Sequence, residues 1–215
     1  MKIAAAASVL ACVALLPIGS AGQQPLPVVD TTADGPFVLG RADAPVTLVE
    51  FVDYECSYCR QYHARVFERL RKEFVDSGLL RYVVRDFPLE MHKNSVTTAR
   101  AARCGAQQGR FWEIRHALLT APRLDLEGVV AAGRAAGVDP VKLRDCVLNA
   151  KVNASIKQDR EEGLRIGVDT APAFVIGRSK GDRVEGELFV GSKPYEAYEA
   201  RIRALLPAGR LPPQN

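Results

Sequence analysis

The chain has 215 residues, 29 of them basic and 25 acidic, and carries a formal net charge of +4. Basic and acidic residues are thus nearly equal in number, and the sequence has no basic stripe with interleaved aromatic residues. Both features argue against nucleic acid as a partner. The length suits one domain, or one domain with a large insertion, and is enough to build a hydrophobic core without help from disulfides.

The first residues have the pattern of a targeting segment. Lys2 precedes a run of apolar or small residues from Ile3 to Ile18, and Gly19-Ser20-Ala21 resembles a small-residue cleavage site. A run of about 16 residues suits a signal peptide better than a membrane span, which needs about 20. We therefore expect a signal peptide over residues 1–21 and a periplasmic location. An uncleaved anchor and lipidation at Cys12 are the alternatives.

After this segment, strand-like stretches alternate with helical ones. Residues 22–36 are rich in Gly, Gln, Pro, Thr and Asp and predict a flexible leader, and the Pro-rich residues 208–215 predict a flexible tail. Lys180-Gly181-Asp182 is suited to a hairpin turn. Apolar runs predict five strands, at about residues 37–39, 46–52, 80–85, 173–178 and 184–190.

About 85 residues between the third and fourth of these strands have helical character. Asp125 is suited to cap one helix there, and Asp139 followed by Pro140 marks the start of another. A final helix is predicted from about Lys193 onward. This alternation indicates an α/β fold in which a central sheet carries helices on both faces. Because the helical block is too long for a simple crossover, we expect it to form a subdomain over residues 91–166.

Two cysteines in a C-x-x-C motif, Cys56 and Cys59, carry the strongest chemical signal. They follow the predicted strand 46–52 and open a helix-like segment, which places the first sulfur at a helix N-terminus. Unpaired backbone N–H groups and the helix dipole favour a thiolate there over a neutral thiol. The motif therefore predicts thiol–disulfide exchange, with Cys56 as the attacking nucleophile and Cys59 as the resolving thiol.

The remaining cysteines predict a structural disulfide. Of five cysteines, Cys12 lies in the predicted signal peptide, and an even number then remains, which favours pairing in an exported chain. Because the C-x-x-C pair is local, Cys104 is left to pair with Cys146. Two buried free thiols are the alternative, since cysteine is often simply a small core residue.

The motif could also bind a metal. Cys56, Cys59 and His63 are suitably spaced for zinc, but a closed tetrahedral site needs a fourth ligand. The other two histidines, His92 and His116, are far away in the sequence. Soft thiolates also select Cu(I). We therefore expect no resident metal and keep a thiol-based copper-handling or metal-resistance protein as the alternative function.

Three features together resemble the exported DsbA-like thiol–disulfide oxidoreductases. They are the stretch Phe51-Val52-Asp53-Tyr54-Glu55-Cys56-Ser57-Tyr58-Cys59, the helical insertion, and Gly167-Val168-Asp169-Thr170-Ala171-Pro172-Ala173-Phe174. The resemblance implies a thioredoxin-like domain over residues 37–90 and 167–207, interrupted by the helical insertion 91–166. It also implies that no cofactor is needed beyond a redox-active Cys56–Cys59 disulfide.

The resemblance further implies roles for residues around the motif. Pro172 is expected to be cis and to lie against the cysteine pair, while the Ala171 backbone pairs with an extended client segment. Tyr58 is a further candidate for client contact. Glu50 is expected to lie partly buried beneath the resolving cysteine and to relay a proton there. A trans proline and a surface glutamate are the alternatives.

The implied activity is disulfide exchange with unfolded or partly folded exported proteins. We expect an oxidase whose pair is reset by a redox partner, although isomerases and reductases use the same chemistry. A monomer is expected, because no long dimerisation segment precedes the fold.

The motif centre, Ser57-Tyr58, departs from the Pro-His pair of strong oxidants. Arg60 favours the thiolate, whereas Asp53 and Glu55 oppose it, and exposed charges of this kind are weak. We therefore expect the pKa of Cys56 to lie below the free value of about 8.5 but above the extreme DsbA value.

Overall fold

The computed structural model describes residues 26–31, 35–207 and 209. The predicted signal peptide over residues 1–21 and nearly all of the predicted tail over 208–215 lie outside the described residues, so both stay predictions. Within the described residues, no helix is both long enough and apolar enough to cross a membrane.

Six strands of the described residues form one mixed sheet. Their spatial order is β1-β6-β5-β3-β4-β2, in which β3 and β4 are parallel and every other neighbouring pair is antiparallel. The strands are β1 (Val28–Asp30), β2 (Val38–Leu39), β3 (Val46–Val52), β4 (Leu80–Asp86), β5 (Ala173–Lys180) and β6 (Arg183–Val190).

The central strand β3 leads directly to the C-x-x-C motif. All seven of its residues are buried, which is typical of a largely apolar strand that is covered on both faces. It pairs with β4 on one side and with β5 on the other, so that Glu50 lies opposite both Val84 and Phe174. The chain that leaves β3 after Val52 therefore begins the motif at one end of the sheet.

Eight α-helices of the described residues accompany the sheet. The motif opens α1 (Ser57–Tyr62), which continues without a break through a π-helical segment (His63–Phe67), α2 (Glu68–Leu70) and a second π-helical segment (Arg71–Val75). Between β4 and β5 lie α3 (Ser95–Ala106), α4 (Phe111–Thr120), α5 (Leu126–Ala135), α6 (Pro140–Asn149) and α7 (Asn153–Arg165), and α8 (Tyr195–Leu205) follows β6.

Helix starts between β4 and β5 obey local sequence signals. The Asp125 carboxylate caps α5 by accepting from the Gly128 N–H at 3.0 Å. Asp139 caps α6 in the same way, and Pro140 occupies the first helical position, where no N–H is needed. These two helices therefore begin where their cap residues predict.

Helices cover both faces of the sheet. The larger core cluster joins the C-x-x-C helix, α3 to α6 and α8 to one face, where Tyr62, Phe174 and Tyr198 are in mutual contact. The opposite face is covered by α7, which comes close because Gly163 has no side chain. A Cβ at Gly163 would lie 2.8 Å from the Phe87 ring.

The structure corrects one part of the predicted flexible leader over residues 22–36, because Val28–Asp30 form the edge strand β1. Val29 is fully buried and pairs with Val184 of β6. The Asp30 carbonyl accepts from the Arg85 guanidinium at 2.7 Å. Two valines in a Pro-rich context are too short an apolar run to predict a strand from the sequence. The strand forms because it pairs with the distant strand β6.

Covalent and ionic links tie the helical block together and to the sheet. Cys104 and Cys146 form a disulfide that joins α3 to α6 across 42 residues of sequence. Arg103, beside it on α3, donates to the carboxylates of Asp86 at the end of β4 and Asp159 on α7. The helical block is thus fastened to the strand that runs parallel to β3.

Candidate active site

Cys56 is the N-cap residue of α1, directly after the turn that follows β3. Its backbone is extended, with φ −65° and ψ 124°, and its N–H donates to the Asp53 carbonyl at 3.2 Å. Its own carbonyl accepts from the Arg60 N–H at 3.1 Å. Backbone N–H groups of Tyr58 and Cys59 donate to its sulfur. The first sulfur of the motif therefore lies at a helix N-terminus.

The two thiols of the motif are free in the structure and have very different acidities. The pKa of Cys56 is lowered to about 6, chiefly by a hydrogen bond from the Cys59 thiol. Burial opposes this shift, the two backbone N–H groups assist it, and the Asp53 carboxylate opposes it. Burial raises the pKa of Cys59 well above its ordinary value, and the bond to Cys56 adds to the rise. One thiolate beside one thiol is the favoured state.

Ala171 and Pro172 lie against this pair. The peptide bond between them is cis, and the Cys56 Sγ lies 3.2 Å from the Ala171 carbonyl oxygen. The register of the sheet makes this contact, because Phe51 of β3 pairs with Ala173, the first residue of β5. The residues that the resemblance assigns to client binding are thus adjacent to the sulfur of Cys56.

Glu50 lies in the core beneath the motif, not on the surface. It has no exposed area, and its Oε2 accepts from the Tyr82 hydroxyl at 2.7 Å and from the Arg115 guanidinium at 2.6 Å. Its charge is one cause of the raised pKa of Cys59. Arg115, on α4, is itself buried and rests on the Phe67 ring at 4.4 Å. Sequence reasoning missed Arg115, because nothing local marks an arginine 65 residues away as the partner of Glu50.

His63 is not a partner of the cysteines. Its Nε2 and the Nδ1 of His116 are 2.9 Å apart, and its Nδ1 accepts from Arg115 at 3.1 Å. Burial, followed by the charge of Arg115, lowers the pKa of His63 to about 3, so the ring is neutral. Among the described residues, no group of three or more His, Cys, Asp or Glu side chains is placed to hold a metal ion.

Sequence reasoning also missed a second cluster, which surrounds Asp53. The buried Asp53 carboxylate accepts four hydrogen bonds, from the Glu55 and Leu89 N–H groups, the Ser95 hydroxyl and the His92 Nδ1–H. His92 lies in the loop after β4, 39 residues along the chain, so its proximity is invisible in the sequence.

Two further side chains of the motif region, Tyr58 and Arg60, differ in their surroundings. Tyr58, the candidate for client contact, is 61% exposed. The Arg60 guanidinium donates to the carbonyls of Leu118 and Ala121 at the end of α4, at 3.3 and 2.7 Å. Arg60 thus joins the motif helix to the helical block, a role that its position in the sequence does not reveal.

Comparison with known proteins places this site in a family. The sequence matches the thioredoxin family over residues 32–190. The Na(+)/H(+) antiporter NhaA 1 of Mycolicibacterium gilvum is 37% identical over 146 residues, which are 66% of this chain but only 23% of the antiporter. A Rickettsia conorii protein with the provisional name protein-disulfide oxidoreductase is 28% identical over 127 residues, which are 56% of this chain and 45% of that protein. The chain thus spans less than half the length of these two curated relatives.

Solved structures give the same picture. The thioredoxin-like oxidoreductase from Silicibacter pomeroyi DSS-3 is 29% identical and superposes with a TM-score of 0.66, covering 78% of this chain and 90% of that one. Alpha-DsbA1 of Wolbachia pipientis is 20% identical and superposes with a TM-score of 0.70, covering 79% and 89%. The chain therefore belongs to the thioredoxin family, and its sheet with inserted helices has the fold of the DsbA proteins.

Proposed function

We propose that this protein is a thiol–disulfide oxidoreductase that works through Cys56 and Cys59. The observation that carries the proposal is the position of Cys56 at a helix start, beside a buried second thiol. Its lowered pKa supports the same role. Cys56 itself is 5% exposed, and the nearby residue Tyr58 is 61% exposed. The similarity to the Silicibacter pomeroyi oxidoreductase and to the Rickettsia conorii protein supports the same chemistry.

The oxidative half of the reaction begins with the pair as a disulfide. A client thiolate attacks the Cys56 sulfur, the Cys56–Cys59 bond breaks, and its electron pair leaves on Cys59, which takes up a proton. A second client thiolate then attacks the client sulfur of the mixed disulfide and expels Cys56 as a thiolate. The client is oxidised by two electrons, and the pair is reduced to the Cys59 thiol and the Cys56 thiolate. Cys56 leaves readily because its pKa is about 6.

We assign to Glu50 the transfer of a proton to Cys59. Cys59 is buried and strongly disfavours the charged form, so it must be protonated as the disulfide opens. The Glu50 carboxylate is the buried acid whose charge acts on Cys59. Arg115 and Tyr82 hold that carboxylate in place by hydrogen bonds. We therefore assign the proton relay to Glu50, which takes up a proton from water and passes it to the Cys59 sulfur.

The lowered pKa of Cys56 supports the oxidising direction of exchange that we propose. A stabilised thiolate stabilises the dithiol form, which makes the disulfide a better oxidant. A pKa of about 6 lies between the values of about 7 for thioredoxin and about 3.5 for DsbA. We therefore assign the oxidase role, with a reduction potential between about −270 and −120 mV.

The clients are unfolded or partly folded exported proteins in the periplasm. An extended client segment pairs with the backbone of Ala171, and Tyr58 contacts its side chains. The main-chain character of this contact suits clients of many sequences. A separate redox partner reoxidises the pair after each turnover, and the protein acts as a monomer.

Trapping a mixed disulfide tests this function. Cys59→Ala removes the resolving thiol, so incubation with an unfolded client that has one activated cysteine should leave a covalent adduct on Cys56, detected by mass spectrometry. The matched variant Cys56→Ala retains the buried thiol and should form no adduct. An adduct on Cys59 instead, or none on either, contradicts the proposal.

The reduction potential of the wild-type pair, measured by equilibration with glutathione, separates the oxidase from the reductase. A potential near about −270 mV would contradict the oxidase assignment.

A further inference from the structure

The turn between β3 and α1 holds a charged pair that the exchange chemistry does not use. Asp53 contacts both cysteines through its backbone: its carbonyl accepts from the Cys56 N–H at 3.2 Å, and its N–H donates to Cys59 Sγ at 3.5 Å. Its carboxylate, fully buried as a side chain, lies 2.9 Å from the Nδ1 of His92, which is 25% exposed. His92 is thus linked to the reactive cysteines through Asp53, which contacts all three residues.

Asp53 presents an electrostatic problem for the thiolate. Four donors hold its carboxylate, whose negative charge opposes ionisation of Cys56. The motif itself supplies no cation to offset it, because Ser57-Tyr58 occupies the position between the cysteines and Arg60 binds the carbonyls at the end of α4.

His92 is placed to supply the missing charge. Because a carboxylate can only accept, Nδ1 of His92 carries a hydrogen towards Asp53, and a proton on its second nitrogen would make the ring a cation. We infer that protonated His92 offsets the Asp53 carboxylate and thereby holds the Cys56 sulfur in its ionised form. His92 is a positioning residue in this scheme, acting through Asp53, and the inference rests on the proposed function of the pair.

Three other titratable groups near Cys56 and Cys59 do not offset the charge of Asp53. Glu55 is acidic like Asp53 and accepts from the backbone and side chain of Asn94. Glu50 acts from β3 on Cys59, and Tyr198 of α8, whose pKa is raised by burial, stays neutral there.

The coupling must work in both directions. If His92 favours the thiolate, the thiolate favours protonated His92 to the same degree. Consistent with this, the pKa of His92 is raised although burial opposes the rise, and the causes are Asp53, then the Cys56 thiolate, then Glu55. Formation of the Cys56–Cys59 disulfide removes the thiolate charge and should therefore lower the pKa of His92.

The direct test is a titration of the His92 ring by NMR in the wild-type protein, in its dithiol and disulfide forms. We expect His92 to hold its proton to a higher pH in the dithiol form. Identical titration curves in the two forms would overturn the inference. The measurement needs no substitution and no client, so it is decisive even if the protein proves to have no exchange activity.

Three variants then separate charge from structure. His92→Asn keeps a donor for Asp53 but cannot be charged, and should lower the ionisation constant of Cys56 about three- to tenfold, with an equal shift of the glutathione equilibrium. His92→Lys keeps a cation and should restore both. Lys93→Gln removes a cation of the same loop that does not contact Asp53, and should change neither. If His92→Asn titrates like wild type, or Lys93→Gln matches its effect, the inference fails.

Discussion

Cys56 and Cys59 are three residues apart, yet the protein shifts the acidities of their thiols in opposite directions. The sulfur of Cys56 accepts hydrogen bonds from the Cys59 thiol and from two backbone N–H groups, which lower its pKa. At Cys59, burial is the largest cause of the pKa shift and raises the pKa. At neutral pH the pair therefore shares one proton, which lies on the inner sulfur. A nucleophile and a protected resolving thiol result from the same few contacts.

This acidity predicts how the stability of the reduced protein depends on pH. The folded pKa of Cys56, about 6, lies below the unfolded value of about 8.5, so its contribution is lost as the pH falls through 6 and grows as the pH rises towards 8.5. Cys59 has the opposite shift, so stability should fall again above about 8.5. We expect the reduced protein to gain about 1–2 kcal/mol of unfolding free energy over Cys56→Ser between about pH 6 and 8.

Urea unfolding of both proteins under reducing conditions measures this difference. Using Cys56→Ser as the reference cancels the titration of groups that Cys56 does not influence, which excludes Cys59 and His92. A difference that stays flat across this pH range would mean that Cys56 ionises in the folded protein as it does in the unfolded one.

At the scale of elements, the Glu50–Arg115 pair joins the central strand to the helical block. Both side chains are buried, and breaking such a pair from one side leaves an uncompensated charge, at a cost of about 3–5 kcal/mol. Arg115→Met should therefore lower the unfolding free energy by about this amount. The double variant Glu50→Gln/Arg115→Met, which removes both charges, should cost less than Arg115→Met alone.

The same variants probe the proton relay. Glu50→Gln alone should slow disulfide exchange and alter its pH profile, which a purely structural role would not do. Denaturant unfolding and exchange kinetics, measured on all three variants, distinguish a proton-relay role of Glu50 from a purely structural one. Additive losses of stability would show that the pair is not coupled.

The edge strand β1 gives a second prediction at this scale. Val29 is fully buried, whereas its neighbour Val28 is 38% exposed. Val29→Ala should lower the unfolding free energy by about 1–3 kcal/mol, while Val28→Ala should have little effect. Thermal or urea unfolding measures both effects. Equal small effects would mean that this segment is the flexible leader that its sequence predicts.

Elements with a local signal could be predicted from the sequence, and elements that depend on distant partners could not. The strand Val46–Val52 and the helices after Asp125 and Asp139 have apolar patterns or cap residues of their own. The strand Val28–Asp30 has no such signal, because it needs β6, more than 150 residues later, to pair with.

The site divides in the same way. The C-x-x-C motif and the strand before it mark Cys56 as a nucleophile, and the similarity to a family marks Ala171, Pro172 and Glu50. Arg115 and His92 come from the helical block and from the loop after β4, and only the fold brings them to the motif. Their chemistry therefore had to be read from the structure.

At the scale of the whole molecule, the disulfide Cys104–Cys146 lies within the helical block, apart from the reactive pair. It closes a loop of 42 residues, so the double variant Cys104→Ala/Cys146→Ala should lose up to about 4 kcal/mol of unfolding free energy. Exchange through Cys56 should persist at low temperature, because the β3–α1 turn does not include either cysteine. Unfolding curves and an exchange assay on the same sample check both statements, and loss of exchange in a folded variant would contradict the second.

The pairing of β1 with β6 has a consequence for how the polypeptide is assembled. Val28 lies opposite Glu185, so almost the entire described chain separates the two partners. Synthesis produces β1 first among the strands and β6 last. The edge strand β1 therefore stays unpaired until the β5–β6 hairpin emerges, and α8 completes the described fold after it. A chain of this topology cannot close its sheet until most of it has been synthesised.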